Sequence, residues 1–551
     1  MKQAIRLIVL ITVSGILFTA CKSKTNELGK MIPGNVLGVV HINGKSLTSK
    51  LSWDEIKQNS WFKEAYNDSA TKEWIKKIMD NPENSGINVK GDIVFFVQKV
   101  GDDMRITVEG EVKDEKAFEQ FNKNSTDNGT VTKENNLSTL NLKNEGVVTW
   151  NDKKFAYVIN KHTPKYNYFD TAQKVEVPDM TAVTAFSKSL FNLKADSTLG
   201  KDEKFSALLQ EDGDIHAWYN TAEAIKSIPM MGVVSMLKMD ALLNNIVTYT
   251  VNFEDGKISV KNKVYGSKEM MDILKKYAQG GINSEMIKNI PSSNILGIIS
   301  FHIKPEGIAE MIKLTGMDGM VNMMLTPQGF TMDDFIKATN GDFMVVFTDL
   351  AWTEGMSSKA PFTVLFATGI GDKTAFNKLL DAGLKLKPDM NKDSSGIAYA
   401  KNDKYFVLGN DLQAVNKYIA GGNSTYSFTD NLKDHPFGMF VDINKILTSI
   451  NTQHPPKDSS EKVMLDASMK TWNTVYMEGG DTKDNIATGT MEVNFVDKKT
   501  NSLKQLYNYI NQMAVYEKER KKKNEASMSM DTTTLMVAPP PPPPAPLHKK
   551  P

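Results

Sequence analysis

Apolar and polar positions follow one pattern that occurs twice in the chain. Ile32-Pro33-Gly34-Asn35-Val36-Leu37-Gly38-Val39-Val40-His41-Ile42 comes near the start, and Ile290-Pro291-Ser292-Ser293-Asn294-Ile295-Leu296-Gly297-Ile298-Ile299-Ser300-Phe301 past the middle. Each reads as a proline stop, an asparagine turn and then a strand, the second copy having one extra residue before its Asn. Both strands, Val36 to Ile42 and Ile295 to Phe301, are apolar on their two faces. That pattern predicts central strands covered on both sides.

The segments downstream of the two copies keep the same order. After the first strand, Trp53, Ile56, Trp61, Phe62, Ala65, Trp74, Ile75 and Ile78 suggest two amphipathic helices ended by Asn81-Pro82. Asp92 to Lys99 and Met104 to Val112 predict a hairpin about Gly101-Asp102, and Asp114 a helix cap. In the second copy, Asp342 to Phe347 matches Asp92 to Phe96, and Phe362 to Thr368 with Asp372-Lys373-Thr374-Ala375-Phe376 matches Ile106 to Glu111 with Asp114-Glu115-Lys116-Ala117-Phe118. Tyr405 to Leu408 matches Phe155 to Val158, and Met439 to Asp442 matches Ala217 to Asn220. Val247-Thr248-Tyr249 and Thr474-Val475-Tyr476 each open a long hairpin, turning at Asp255-Gly256 and at Gly479-Gly480 to Asp484. The alignment sets His41 against Ser300 and His216 against Gly438 or a neighbour.

The expected fold class is α+β: two homologous halves, each a mainly antiparallel sheet with helices packed on one face. The expected boundaries are a leader over 1–20, a tether over 21–31, a first half over 32–285 and a second over 286–498. An amphipathic basic helix over 499–524, capped by Asn501, and a disordered tail over 525–551 complete the chain. The tail holds six consecutive prolines, Pro539 to Pro544, and cannot bury a core.

Composition narrows the class. The 551 residues suffice for two cores. With 66 basic and 65 acidic residues, the chain has no overall field to gather nucleic acid. There is one cysteine, Cys21, so no internal disulfide forms. It follows a positive segment (Lys2, Arg6) and an apolar run from Leu7 to Phe18 that is short for a membrane span.

Leu17-Phe18-Thr19-Ala20-Cys21 resembles the lipobox of bacterial lipoproteins, with Phe18 departing from the usual Leu. The resemblance implies cleavage before Cys21, lipidation of its sulfur, and a membrane held through acyl chains. Neither an Asp nor an acidic run comes directly after Cys21, which in that resemblance implies the outer membrane, facing the periplasm, with surface exposure left open. Together with the duplicated unit, the chain resembles an uncharacterised family of Bacteroidota envelope lipoproteins, a domain of unknown function. Asp68-Ser69-Ala70, Asp170-Thr171-Ala172, Asp196-Ser197-Thr198 and Asp531-Thr532-Thr533 resemble the short O-glycosylation signal of such envelope proteins. The family carries over no functional residue.

Candidate chemistry is sparse. Asn43-Gly44-Lys45-Ser46 imitates the end of a phosphate loop, but five residues separate Gly38 from Gly44 where the motif needs four. The seven histidines share no metal-ligand spacing. Met317, Met320, Met323 and Met324 have a spacing that gathers thioethers for Cu(I), and equally suits a Met-rich packing helix. Met230, Met231, Met236 and Met239 form a looser cluster. The basic run Lys518 to Lys523 fits anionic headgroups, peptidoglycan or a solvated helix end. No catalytic or cofactor site emerges. The expectation is a non-enzymatic envelope protein that binds or scaffolds a protein, lipid or glycan; the alternative is a periplasmic hydrolase without a sequence signature.

Overall fold

The structure is a computed structural model that describes residues 26–101, 103–142, 146–162, 179–226, 245–350, 362–386, 396–456 and 458–534. The expected leader, Cys21, Met230 to Met239 and the proline run lie outside the described residues.

The first half supplies β1 (Gly38–Asn43), β2 (Asp92–Val100), β3 (Asp103–Glu111), β4 (Val131–Glu134), β5 (Leu137–Asn141), β6 (Gly146–Trp150), β7 (Lys154–His162), β8 (Ile215–Asn220), β9 (Ile246–Glu254) and β10 (Lys257–Tyr265). The second supplies β11 (Ile295–His302), β12 (Thr339–Thr348), β13 (Thr363–Ile370), β14 (Ala398–Lys401), β15 (Tyr405–Gly409), β16 (Phe437–Asp442), β17 (Trp472–Lys483) and β18 (Ile486–Phe495). Every pairing is antiparallel, and the spatial order is β4-β5-β6-β7-β3-β2-β1-β8-β9-β10-β18-β17-β16-β11-β12-β13-β15-β14. The fold is α+β, as the sequence predicts.

The duplication is visible strand by strand. β1 lies between β2 and β8, and β11 between β12 and β16. His41 pairs with His216 where Ser300 pairs with Gly438. Asp114 caps the helix Glu115–Ser125 through the Ala117 amide, and Asp372 accepts from the Ala375 amide at the start of Lys373–Leu386. The same local sequence thus starts the same helix twice.

The halves join edge to edge through β10 and β18. Matching positions through the register makes Val260 the counterpart of Gly489 and Asn262 that of Met491. Lys261 therefore pairs with Thr490, its own counterpart. Such self-pairing is the signature of a two-fold junction, here inside one chain. The helix Ser502–Thr534 straddles the junction. Tyr507 donates to the Ile56 carbonyl and Lys504 pairs with Glu55 in the first half, while Tyr509 bonds Ser468 and packs edge-on against Trp472 in the second.

Each half closes its own core on one face of the sheet. Val39, Val94, Phe96 and Trp218 pack with Val183, Phe205 and Leu208. Ile298, Met344, Val346 and Phe440 pack with Met286, Ile287, Val415 and Tyr418.

Three details differ from the sequence reading. The β17–β18 turn is Asp484-Asn485, both at positive φ, as a tight hairpin requires, while Gly479-Gly480 sit at a bulge inside β17. The C-terminal helix continues to Thr534, past the boundary expected at residue 524. The third is the largest: the central strands enter a core cluster on one face only, and their other face is half-buried to exposed. Val39 is 2% exposed and its neighbour Val40 is 39% exposed.

Candidate functional site

Residues directly opposite in an antiparallel pair share a face, so the register shows what the second face carries. One row starts Ile93, Ile42, Ile215, Val251, Val260 in the first half. It crosses the junction into Met491, Met477 and Met439 and ends Ile299, Val345, Phe366, Leu408. The row spans twelve strands, about 50 Å at the usual strand spacing, and contains no polar side chain. Every member is half-buried, and none belongs to any hydrophobic core cluster of the described residues.

The neighbouring row reads Phe95, Val40, Ala217, Tyr249, then Asn262, Gly489 and Gly479 at the junction, then Phe437, Phe301, Phe343. Phe301 stacks on Phe343 at 4.9 Å between ring centres. The large apolar side chains that are exposed on strands are Val40, Phe95, Tyr219, Tyr249 and Phe301, and all five point to this face. Scattered exposed hydrophobics are ordinary, but a contiguous apolar surface of this extent marks an interaction site.

At the junction the strands alternate, Asn262 being the polar side chain that β10 turns to the second face. β10 turns Ile258 and Val260 to the second face and Ser259, Lys261 and Lys263 to the first. On the polar side Lys257 pairs with Glu492 at 2.5 Å and Lys263 with Glu211 at 2.5 Å. The strands therefore present hydrocarbon where no core receives it.

Helices shelter the edges of this face. Phe118 of Glu115–Ser125 stacks on Phe155, and Asn122 accepts a hydrogen bond from the Tyr157 hydroxyl, at one end. Phe376 of Lys373–Leu386 packs on Phe406 at the other. Near the junction Phe495 is fully buried against Trp472, which Tyr509 of the C-terminal helix covers. Between these shelters the long row is half-buried, with the helix Ile443–Gln453 lying near β11 and β17 and the helix Lys268–Tyr277 near β17.

The polar candidates resolve differently. Asn43 caps the helix Gly44–Lys50 through the Ser46 amide, and Ser46 and Lys50 both bond the buried Asp214. A Cβ on Gly44 would lie 2.3 Å from the Gly91 carbonyl oxygen. The phosphate-loop imitation is therefore a close-packed strand-to-helix turn. Met317 and Met320 are half-buried on the surface helix Asp318–Leu325 and its cap, while Met323 and Met324 are 70% and 67% exposed. Cys21 lies outside the described residues.

Register also brings together two histidines that spacing along the chain hides. His41 and His216 stack, their Nδ1 atoms 3.0 Å apart. His41 Nε2 meets Asp92 at 2.9 Å, and His216 Nε2 meets the Glu211 carbonyl at 3.1 Å. Three hydrogen bonds over four ring nitrogens need three protons, so the satisfied chain holds one positive charge. Burial depresses the basicity of His216. The hydrogen bond from His41 in turn holds the Asp92 carboxyl below its usual range. All four nitrogens are engaged, and no hydroxyl or thiol joins the chain among the described residues. In the second half His302 bonds Asp342, the counterpart of Asp92, at 2.7 Å. No cluster of three or more His, Cys, Asp or Glu side chains gathers as for a metal ion among the described residues.

Among known proteins, a family model described as Domain of unknown function (DUF4836) matches residues 29–435. No curated protein matches. Two solved structures, crystal forms III and I of TP0453, are similar at 10% identity. Their TM-scores are 0.24 and 0.23, over 46% and 43% of this chain and 87% and 77% of those chains.

Proposed function

The chain belongs to the family Domain of unknown function (DUF4836), and we propose that it is a non-enzymatic binding protein whose second sheet face holds hydrocarbon, the acyl chains of lipid. The observation that carries this reading is the unbroken apolar row across twelve strands, half-buried throughout. A protein partner would bring backbone groups that need about one hydrogen bond per 100–200 Å² of interface. This row has none to give. An acyl chain needs none, and each buried methylene contributes about 0.8 kcal/mol. Met491, Met477 and Met439 in the middle of the row are unbranched and flexible, which suits chains of varied length and shape.

In this reading the leader carries the chain to the bacterial envelope, Cys21 is acylated, and the protein is held at the outer membrane facing the periplasm. The motivation is the lipobox-like Leu17 to Cys21 and the solitary cysteine. The hydrolase alternative gains nothing from the histidine chain, whose ring nitrogens are all engaged.

The test is native mass spectrometry of the protein purified from membranes in mild detergent. Wild type should carry lipid adducts, and Met477→Asp should lose them while keeping its circular dichroism. A ligand-free wild type, or adducts that survive Met477→Asp, would defeat the proposal.

A further inference from the structure

A second set of exposed apolar side chains lies off the sheet. Trp61, Val463, Met464, Ile510 and Val515 are 45%, 55%, 36%, 53% and 40% exposed. They sit on three helices, Ser60–Asn67 and Ser459–Thr471 each packing against Ser502–Thr534. Ser60 bonds Asn511, Lys518 pairs with Glu64, and Tyr509 bonds Ser468, so the three form one module. Exposed Arg520 and Lys521 come next on the same helix. The module borders the apolar face through Tyr509, Trp472 and Phe495.

We infer that this three-helix module docks on the surface of a bilayer containing anionic phospholipid, and so presents the apolar face to its source of acyl chains. The inference rests on the lipid-binding reading and adds where the lipid enters. Three observations select a bilayer as the occupant. Trp61 has an apolar body and a polar N–H, the combination that favours the membrane interface. On the C-terminal helix the exposed Ile510 and Val515 are followed by exposed Arg520 and Lys521, with exposed Glu517 and Glu519 interspersed. Such a mixed polar flank is of the kind carried by helices that lie in the headgroup region rather than span it. No helix among the described residues is long and apolar enough to cross a membrane, so insertion is shallow. Each basic residue near an anionic surface contributes about 1 kcal/mol, which salt screens.

The test uses the chain from Lys22 onward, which holds every described residue and has no leader. It is sedimented with phosphatidylcholine vesicles, with and without phosphatidylglycerol. Binding should require the anionic lipid, fall at high salt, and drop at least tenfold in Ile510→Asp/Val515→Asp. Both positions are exposed, so the melting temperature should hold. As a second readout, brominated acyl chains should quench wild-type tryptophan fluorescence more than that of Trp61→Phe. Equal sedimentation with neutral vesicles, or no change in the double variant, overturns the docking inference. Native lipid adducts would then remain as a separate result, so failure of docking and failure of lipid binding are distinguishable.

Discussion

Val39 and Val40 are neighbours in β1, with the same side chain, and they live in different environments. Val39 is sealed among Val94, Phe96 and Trp218; Val40 stands 39% exposed in a row of aromatic and aliphatic neighbours. The same contrast holds in β11 between Ile298, 1% exposed, and Phe301, 38% exposed. A folding requirement explains the first face completely. It explains the second only in part: the half-buried row contributes to folding, but the exposed Val40, Phe95, Tyr249 and Phe301 contribute little to it and oppose solubility. Residues that a fold does not need are the ones to attribute to function.

The largest expected effect separates the faces. Val39→Asp and Ile298→Asp each put a carboxylate into a closed core and should cost about 4 kcal/mol or more. Val40→Asp and Phe301→Asp should cost about 1 kcal/mol or less. Urea unfolding of the four variants measures this, and equal losses on both faces would mean the second face is closed in solution.

A second contrast runs between the halves. Where β13 turns Leu365 and Ala367 into the core, β3 turns Thr107 and Glu109 into it at the corresponding positions. Glu109 Oε2 and Thr107 Oγ1 find no hydrogen-bond partner. Burial pushes the Glu109 carboxyl up to about 8 from 4.5. Between those values the folded state holds a proton that the unfolded state has lost. Stability should therefore fall as pH rises through that window, by up to about 1.4 kcal/mol per pH unit. It should level off above the upper value. Glu109→Gln should flatten the slope, which unfolding titrations from pH 5 to 9 would show; Ala367 has no such term.

Two glycine turns give a smaller contrast. Gly101 and Gly256 both have positive φ, but a Cβ at Gly101 meets nothing, whereas at Gly256 it lies 2.5 Å from Lys498 Cα. Gly101→Ala should cost about 1 kcal/mol from the backbone alone, and Gly256→Ala about 2–3 kcal/mol. Thermal unfolding compares them. The smallest effect is Met477→Leu, expected within about 1 kcal/mol of wild type by the same measurement, because the volume is conserved.

Much of this architecture is legible along the chain. The duplicated strand, the Asp114 and Asp372 caps and the correspondence of His41 with Ser300 and of His216 with Gly438 follow from local pattern. The apolar face is visible too, but the sequence assigns it to a core. Val40, Val97, Ile299 and Phe301 look like core, because alternation tells which residues share a face and not whether anything covers it. The β10–β18 junction is hidden for a related reason. Lys261 and Thr490 carry no signal that they oppose one another, since edge pairing is made by backbone groups common to every residue. The histidine chain needs that same register before spacing means anything.

The central claim is that the second face is kept open for acyl chains. Its most direct test is photocrosslinking with a diazirine-bearing fatty acid, followed by peptide mapping. Labels should concentrate on β16, β17, β18 and β11, at Met439, Met477, Met491 and Ile299, with competition by unlabelled fatty acid. Labels confined to the outer helices, or spread evenly over the surface and indifferent to competitor, would contradict it.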